Sequence, residues 1–444
     1  MRKSLIKLVV LGCPKNRADA EAVAGFFHDA GFDVTEAEGR ADAAVVLTCA
    51  FVRDAEEEAI EHIMSLIEER REGNIRALMV SGCLPQRHRG EDFFKALPEV
   101  DAWVSASDYP RIGYIMKQAL SGSHWRKVSA AAGYLPDRPR RVRLGLTPFA
   151  YVKISEGCRN RCAYCAIPSI RGDFRSRPMA RVVDEAASLV EDGGVKEIVL
   201  VGQDTALYGA DLYGEQRLAT LIRRVAQRLP ETWLRVMYAH PAHLTADVLD
   251  AIAEHENVCP YLDIPMQHAS TSVLKRMGRP GSARELEKLI GLIRKKIPDV
   301  VLRTTVMVGF PGETDKEFKE LTGFMERMRI ERLGAFPYSR EEGTRAHDMK
   351  GQVRADVKQR RLDIVMRLQQ EISWDIQQDW VGREMIVLID GPDPERPGWS
   401  LARSRYHAPE VDAGVNIEKS LPPGSLLKVR IIDALPYDLE ATPV

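Results

Sequence analysis

The sequence contains no apolar run approaching the roughly 20 residues that a membrane-spanning helix requires. Its first residues, Met1-Arg2-Lys3-Ser4-Leu5-Ile6-Lys7, are not followed by a long apolar stretch with a small-residue cleavage site, so a secretory signal is not expected and a cytoplasmic setting is. An excess of one sign of charge is missing too. The formal net charge is −1, which gives no global drive toward nucleic acid or an anionic membrane. Cysteine is sparse, at seven in 444 residues. An odd number in a long chain without an export signal argues against a disulfide framework and for metal or cluster ligation. What remains is a soluble globular composition, 45% hydrophobic and 29% charged, long enough for two or three domains.

Six of the seven cysteines fall into two sets of three. In the first set, Lys7-Leu8-Val9-Val10-Leu11-Gly12-Cys13, Ala43-Ala44-Val45-Val46-Leu47-Thr48-Cys49 and Ala77-Leu78-Met79-Val80-Ser81-Gly82-Cys83 are apolar runs that each end in a cysteine. Between them, Asn16 to Asp29 and Asp54 to Arg70 read as helices, the second with apolar Ala55, Ala59, Ile63, Leu66 and Ile67. Short buried strands alternating with helices predict a parallel sheet of βαβ units, which collects its ligands outside the carboxyl edge of the strands. Three thiols at equivalent strand ends can therefore converge, and a second cluster site is the expectation for Cys13, Cys49 and Cys83 over three unrelated buried thiols.

A linker is read at Leu135 to Arg143. Six strand-like runs with intervening helices follow, at Ala150–Ser155, Glu197–Val201, Leu234–Tyr238, Tyr261–Ile264, Leu302–Val308 and Arg332–Phe336. They suggest a partial (β/α)6 relative of the TIM barrel. A long charged helix is expected from Gln352 to Gln378. Beyond it, Met385–Ile389, Val415–Ile417 and Leu426–Ile432 lie among prolines and predict a small antiparallel β-barrel. The fold class is thus α/β, with domains at 4–120, 144–375 and 377–444.

The second set carries the most specific chemistry. Cys158-Arg159-Asn160-Arg161-Cys162-Ala163-Tyr164-Cys165 is C-x-x-x-C-x-x-C behind a strand. Three thiolates can bind three irons of a 4Fe–4S cube and leave the fourth open. The amine and carboxylate of S-adenosylmethionine (SAM) can chelate that iron, and one electron then cleaves the sulfonium to a 5′-deoxyadenosyl radical. Zinc is the alternative, but structural zinc takes four ligands, commonly as C-x-x-C pairs, and no matching pair follows.

With an aromatic before its third cysteine, this motif resembles the radical-SAM superfamily signature. Gly194-Val195-Lys196-Glu197-Ile198 and Val308-Gly309-Phe310-Pro311-Gly312-Glu313 are similar to the superfamily's later contacts to the SAM methionine and adenine. That resemblance implies cofactor contacts at Gly194, Glu197, Gly309 and Glu313. Gln203 and Asp204, at a strand end, are read as SAM or substrate contacts, or with Asp204 as a helix N-cap.

Along essentially the whole chain the order of motifs resembles the methylthiotransferases. The resemblance implies an N-terminal α/β domain, a partial barrel and a C-terminal TRAM domain. It also implies two 4Fe–4S clusters, on Cys13, Cys49 and Cys83 and on Cys158, Cys162 and Cys165. SAM would have two uses, methylation of a cluster-bound sulfur and radical generation. Cys259 matches no ligand position.

Within the family the substrate is either an aspartate of the small-subunit ribosomal protein S-twelve or an adenosine of transfer RNA. Stretches such as Leu11-Gly12-Cys13-Pro14-Lys15-Asn16, Asp263-Ile264-Pro265-Met266-Gln267-His268 and Ala402-Arg403-Ser404-Arg405-Tyr406-His407 resemble the ribosomal-protein branch, whereas Arg17, Ala18 and Leu47 depart from the family pattern. From 381 to 444 there are seven basic and ten acidic residues, a balance that suits a basic protein partner better than an RNA backbone. An electron donor outside the chain is implied, and no membrane partner. His268 is expected to pack at the barrel mouth, and Arg303 to form a structural ion pair. A two-cluster electron carrier and a zinc-stabilised nucleic-acid-binding module are the readings from other classes, and both leave the six-unit barrel unexplained.

Overall fold

The computed structural model describes residues 3–129, 135, 141–145 and 147–444. Residues 136–140 of the expected linker lie outside them. The chain forms two compact units. One comprises Met1–Leu146, Lys153–Asn160 and Cys165–Glu185; the other comprises Thr147–Val152, Arg161–Tyr164 and Ala186–Val444.

In the first unit, β1 (Leu5–Val10), β2 (Asp33–Thr35), β3 (Ala43–Thr48), β4 (Ala77–Gly82) and β5 (Ala102–Val104) form a parallel sheet in the order β2-β1-β3-β4-β5. Helix α1 (Pro14–Asp29) follows β1, and α2 (Arg53–Arg71) lies between β3 and β4, within two residues of the ranges read from periodicity. Strand side chains alternate between faces. Ala43, Val45 and Leu47 accordingly enter one core with Phe27 of α1, while Ala44 and Val46 enter the other with Ala59, Ile63, Leu66 and Ile67 of α2. Both faces are covered, and every residue of β3 and β4 is buried.

The register makes neighbouring strands end in step: Val10 pairs with Leu47, Leu47 with Ser81, and Thr48 with Gly82. Cys49 and Cys83 each follow the last residue of their strand, and Cys83 opens the short helix α3 (Cys83–Arg87). Cys13 sits three residues beyond β1, as the N-cap of α1. Gly82 turns this corner at φ +95°, where a Cβ would fall 2.5 Å from the Thr48 carbonyl oxygen.

A short pair, β7 (Ser155–Glu156) with β8 (Arg175–Ser176), completes the strands of this unit; it comes after β6 (Phe149–Lys153) in the chain. In the second unit, β9 (Glu197–Val201), β10 (Trp233–Val236), β11 (Val258–Asp263), β12 (Val301–Val308) and β13 (Arg332–Pro337) join β6 in a six-stranded sheet. The strand order follows the chain order, as expected for successive βα units, and the sheet does not reach the eight strands of a closed TIM barrel. The long helix runs from Ala355 to Gln378. It starts three residues later than expected because Arg354 is extended and the Gln352 side-chain amide is spent on the carbonyls of Ala346 and Met349.

The C-terminal barrel is closed in the order β14 (Glu384–Pro392), β15 (Ser400–Ser404), β16 (Val415–Ile417), β18 (Leu439–Pro443), β17 (Leu426–Ala434). Four of its seams are antiparallel and the fifth, β16 to β18, is parallel. The small barrel expected from the sequence is present and antiparallel in four seams; the fifth is parallel by parity, since five strands cannot alternate direction around a closed ring. Strands β15 and β18 were not expected from the sequence. In β15 a buried Arg403 and two small neighbours hide the apolar alternation.

A Gly82→Ala substitution tests how tightly the strand end is drawn. It is expected to destabilise the chain by about 1–3 kcal/mol, the cost of holding a side chain in a left-handed conformation, measured by chemical denaturation.

Candidate cluster and cofactor sites

The three strand-end cysteines are brought to one edge of the first unit. Asn16 of α1, itself buried, donates from its amide to the carbonyls of Leu11 (2.6 Å) and Leu47 (2.9 Å), and so ties the Cys13 turn to the end of β3. The Thr48 hydroxyl donates to the Ser81 carbonyl (2.6 Å) and accepts from the Leu84 amide (3.0 Å), which ties the Cys49 turn to that of Cys83. Gly12, at φ +86°, leaves no room for a Cβ, which would stand 2.6 Å from the Cβ of Cys49. Burial pushes the Cys49 thiol up to about 12, with the neighbouring Cys83 and Cys13 adding to it. Burial also raises the Cys83 thiol, against the opposing charge of Arg171.

Arg171 is the residue at this site that sequence reasoning missed. It ends the helix α4 (Ile167–Arg171) and is 3% exposed. One arm of its guanidinium donates to Asp19 (3.0 Å) and Glu156 (3.4 Å); the other reaches the Asn16 side-chain oxygen (3.5 Å) and the Cys83 sulfur (3.3 Å). Lys153 pairs with the same two carboxylates, bonding Glu156 at 2.8 Å and also Asp19. Two cations thus balance two anions in a fully buried set, the arrangement that makes buried charge tolerable.

The donor set suits a cluster better than a single ion. A tetrahedral zinc with bonds of about 2.3 Å draws its sulfurs within about 4 Å of one another. Cys13, Cys49 and Cys83 do not form a group whose sulfurs all lie within 4.8 Å. A cube of irons and sulfides holds its ligands further apart, and thiols alone, with no histidine or carboxylate in the trio, are its usual donors.

The second trio occupies the segment after β7. The Cys158 amide donates to the Gly172 carbonyl (3.1 Å), and the Asn160 amide donates to the Cys158 sulfur (3.4 Å). Gly157 at φ +72° permits that approach, since a Cβ would meet the Asp173 carbonyl oxygen at 2.1 Å. Around Cys162, Ala163 is held by hydrogen bonds from its amide to Met277 (2.7 Å) and to its carbonyl from Ala346 (2.8 Å). Arg279, buried and also missed by sequence reasoning, donates to the Cys162 sulfur (3.6 Å), the Tyr164 hydroxyl (3.3 Å) and the Pro265 carbonyl (2.6 Å). Cys165 is half-buried.

The residues expected to touch SAM separate by position. Gln203 lies just past the carboxyl end of β9, and Gly309 just past that of β12, where it turns at φ +72°. Gly194 turns at φ +64° before β9 begins, at the other end of that strand. Glu197 is corrected. It is the first residue of β9, fully buried, and both its oxygens are taken by guanidiniums, one by Arg235 at 2.6 Å and one by Arg403. Glu313 is corrected as well. One oxygen accepts from the amides of Gly309 (2.7 Å) and Phe310 (3.1 Å) and the other from Arg361 (2.9 Å), so the carboxylate shapes the turn.

Asp204 is not a side-chain N-cap. Its carboxylate accepts from the His240 amide (3.4 Å) and meets the His243 ring at 2.7 Å. Among the described residues, Asp204, His240 and His243 form the one such group with ligand atoms within 4.8 Å. Burial, then the positive charge of Arg279, push His240 down to about 3. His268 is fully buried, pushed down to about 3 by burial, and accepts from the Ser270 amide. Arg303 pairs with Asp263 at 3.0 Å, and Cys259 is an interior thiol.

A six-stranded sheet whose first strand is followed by this cysteine motif defines a class, and residues 152–325 match the radical SAM superfamily. Residues 6–105 match the uncharacterized protein family UPF0004, and residues 381–444 the TRAM domain. Ribosomal protein uS12 methylthiotransferase RimO of Desulforamulus reducens is 42% identical over 98% of this chain and 98% of its own length. The RimO proteins of Heliobacterium modesticaldum and Geotalea uraniireducens are also 42% identical, over 98% of this chain and 94% and 98% of their own. The chain belongs to the family of uS12 methylthiotransferases. In fold it is similar to the radical SAM methyltransferase TsrM of Kitasatospora setae, with a TM-score of 0.56 at 14% identity over 90% of this chain and 80% of that one.

The Glu197 ion pairs set a pH window. Burial alone would raise this carboxyl, but Arg235 and Arg403 more than reverse it and hold it below the usual range. A depressed carboxyl contributes stability that is present above its unfolded pKa of about 4.3 and is lost as pH falls. Glu197→Gln is therefore expected to cost about 3–5 kcal/mol near neutrality, with the gap from wild type closing as pH drops below about 4, followed by denaturant titration across pH.

Proposed function

We propose that this chain, in the cytoplasm, transfers a methylthio group to the side chain of an aspartate in ribosomal protein uS12. The observation that carries the reading is the convergence of three strand-end cysteines, 36 and 34 residues apart in sequence, on a chain that also holds the C-x-x-x-C-x-x-C trio. Cys158, Cys162 and Cys165 would hold one 4Fe–4S cluster, and Cys13, Cys49 and Cys83 the other. With SAM bound, these groups supply reductive cleavage to a 5′-deoxyadenosyl radical and a sulfur for the carbon it opens. The chain itself sets ligand spacing through Gly12, Gly82 and Gly157. Gln203 and Gly309 lie at the carboxyl edge of the sheet, which supports reading them as SAM contacts; Gly194, at the opposite end of β9, is not read as one. The reductant is a separate electron donor.

We further read the chain as three domains, at 4–120, 144–375 and 377–444. The charge balance of the last one argues less than it promised. Asp390 pairs with Arg403, Asp412 lies 3.7 Å from Arg303 and 3.6 Å from Arg332, and Glu384 takes up Lys428 and Arg430. Asp412 thus answers arginines outside the barrel and part of the acidic excess is already paired, so the substrate assignment rests on the full-length relatives that share the uS12 name.

Anaerobically reconstituted enzyme with SAM, a reductant and uS12 is expected to add the mass of one methylthio group to the protein. Mass gain in transfer RNA adenosine instead would reverse the choice. The Cys13/Cys49/Cys83→Ala variant is expected to retain about half the iron and still produce 5′-deoxyadenosine without transferring sulfur. The Cys158/Cys162/Cys165→Ala variant is expected to keep about half the iron and to do neither.

A further inference from the structure

In each cysteine trio a sulfur faces a buried guanidinium, Cys83 facing Arg171 and Cys162 facing Arg279. The Arg171 arrangement is the more fully specified. We propose that Arg171 is a positioning residue for the cluster on Cys13, Cys49 and Cys83: it donates a hydrogen bond to the Cys83 sulfur and thereby raises the reduction potential of that cluster. This rests on reading those three cysteines as ligands.

The geometry distinguishes this role from a plain buried ion pair. Asp19 and Glu156 already have Lys153 between them, and Arg171 meets both through a single nitrogen. Its second terminal nitrogen turns away from the carboxylates, toward Asn16 and the sulfur. Only a fork can do both at once, since an ammonium is a single point of charge. The carboxylates fix the plane of the guanidinium, and the Asn16 side chain that shares its second nitrogen also clamps the Cys13 turn. The sulfur contact is therefore held from both sides.

The consequence for a cluster follows from charge. Three thiolates around an iron–sulfur cube gather negative charge, and reduction adds one more. A buried donor on one sulfur favours the reduced state, and hydrogen bonds to sulfur are among the determinants of cluster potential. Helix α4 begins two residues after Cys165, so the chain segment that carries the second trio also supplies this donor to the first.

The test uses the full-length chain with Cys158, Cys162 and Cys165 replaced by Ala, so that one cluster remains, reconstituted with iron and sulfide. The midpoint potential is read by redox titration with electron paramagnetic resonance, beside iron content and thermal melting. Arg171→Lys keeps a cation for Asp19 and Glu156 but cannot also reach the sulfur; it is expected to fold, retain iron and shift the midpoint negative. Arg171→Met is expected to shift it further, by at least a tenfold change in the reduction equilibrium, or 59 mV for one electron. Folded, iron-loaded Lys and Met variants with the parent midpoint would overturn the role of Arg171 and leave the ligand reading standing. If the background chain binds no iron at all, the ligand reading itself fails and Arg171 falls with it. Should the Met variant not fold, the Lys variant alone decides, since its buried charge is conserved.

Discussion

Parallel strands that end in step are the constraint on which the N-terminal site depends. Adjacent strands in a sheet stand about 4.8 Å apart, and the pairing of Val10 with Leu47 and Thr48 with Gly82 leaves β1, β3 and β4 terminating at one level. Residues separated by more than thirty positions thus become neighbours with no local motif to announce them. Tight turns complete the arrangement. Gly12 and Gly82 both adopt positive φ with no space for a Cβ, so each chain reverses at once and its cysteine stays at the edge.

Buried charge is the second organising element. Around the first trio, Lys153 and Arg171 neutralise Asp19 and Glu156 in a region shut off from water. In the second unit Glu197 and Asp390 do the same for Arg235 and Arg403, joining β9 and β10 to β15 of the C-terminal barrel. Such sets add little stability over a well-packed apolar core, but each fixes orientation, because breaking any one partner strands the others uncompensated. The two sets differ in use. One ends on a cysteine sulfur, whereas in the other both Glu197 oxygens are already taken by guanidiniums.

The sequence was most legible where periodicity is strong and both faces of an element are simple. β3, β4 and α2 fall within a residue or so of their expected places because β3 and β4 are buried on both sides and α2 carries a clear apolar stripe. β15 was not legible, since a buried arginine and small residues broke the alternation that a strand should show, and β18 offers only Leu439 and Ala441 as apolar positions before a proline. The candidate site divides in the same way. Compact cysteine spacing could be read directly, as could cysteines repeating at strand ends. The acidic residues could not: Glu197 and Glu313 sit beside glycine turns as ligand contacts would, yet their oxygens are consumed by Arg235, Arg403 and Arg361 and by the amides of Gly309 and Phe310.

By itself, the sequence determined the donor chemistry, the layer order and the two groups of three thiols, because these follow from residue type, spacing and local period. Tertiary structure decided which polar groups are still free to act. Arg171 reaching Cys83, Arg279 reaching Cys162 and Thr48 tying two turns together involve partners from 33 to 117 positions apart. A hydrogen bond between distant residues depends on where the packed strands deliver them, and that is fixed by burial and register across the whole sheet, not by any stretch of neighbouring residues.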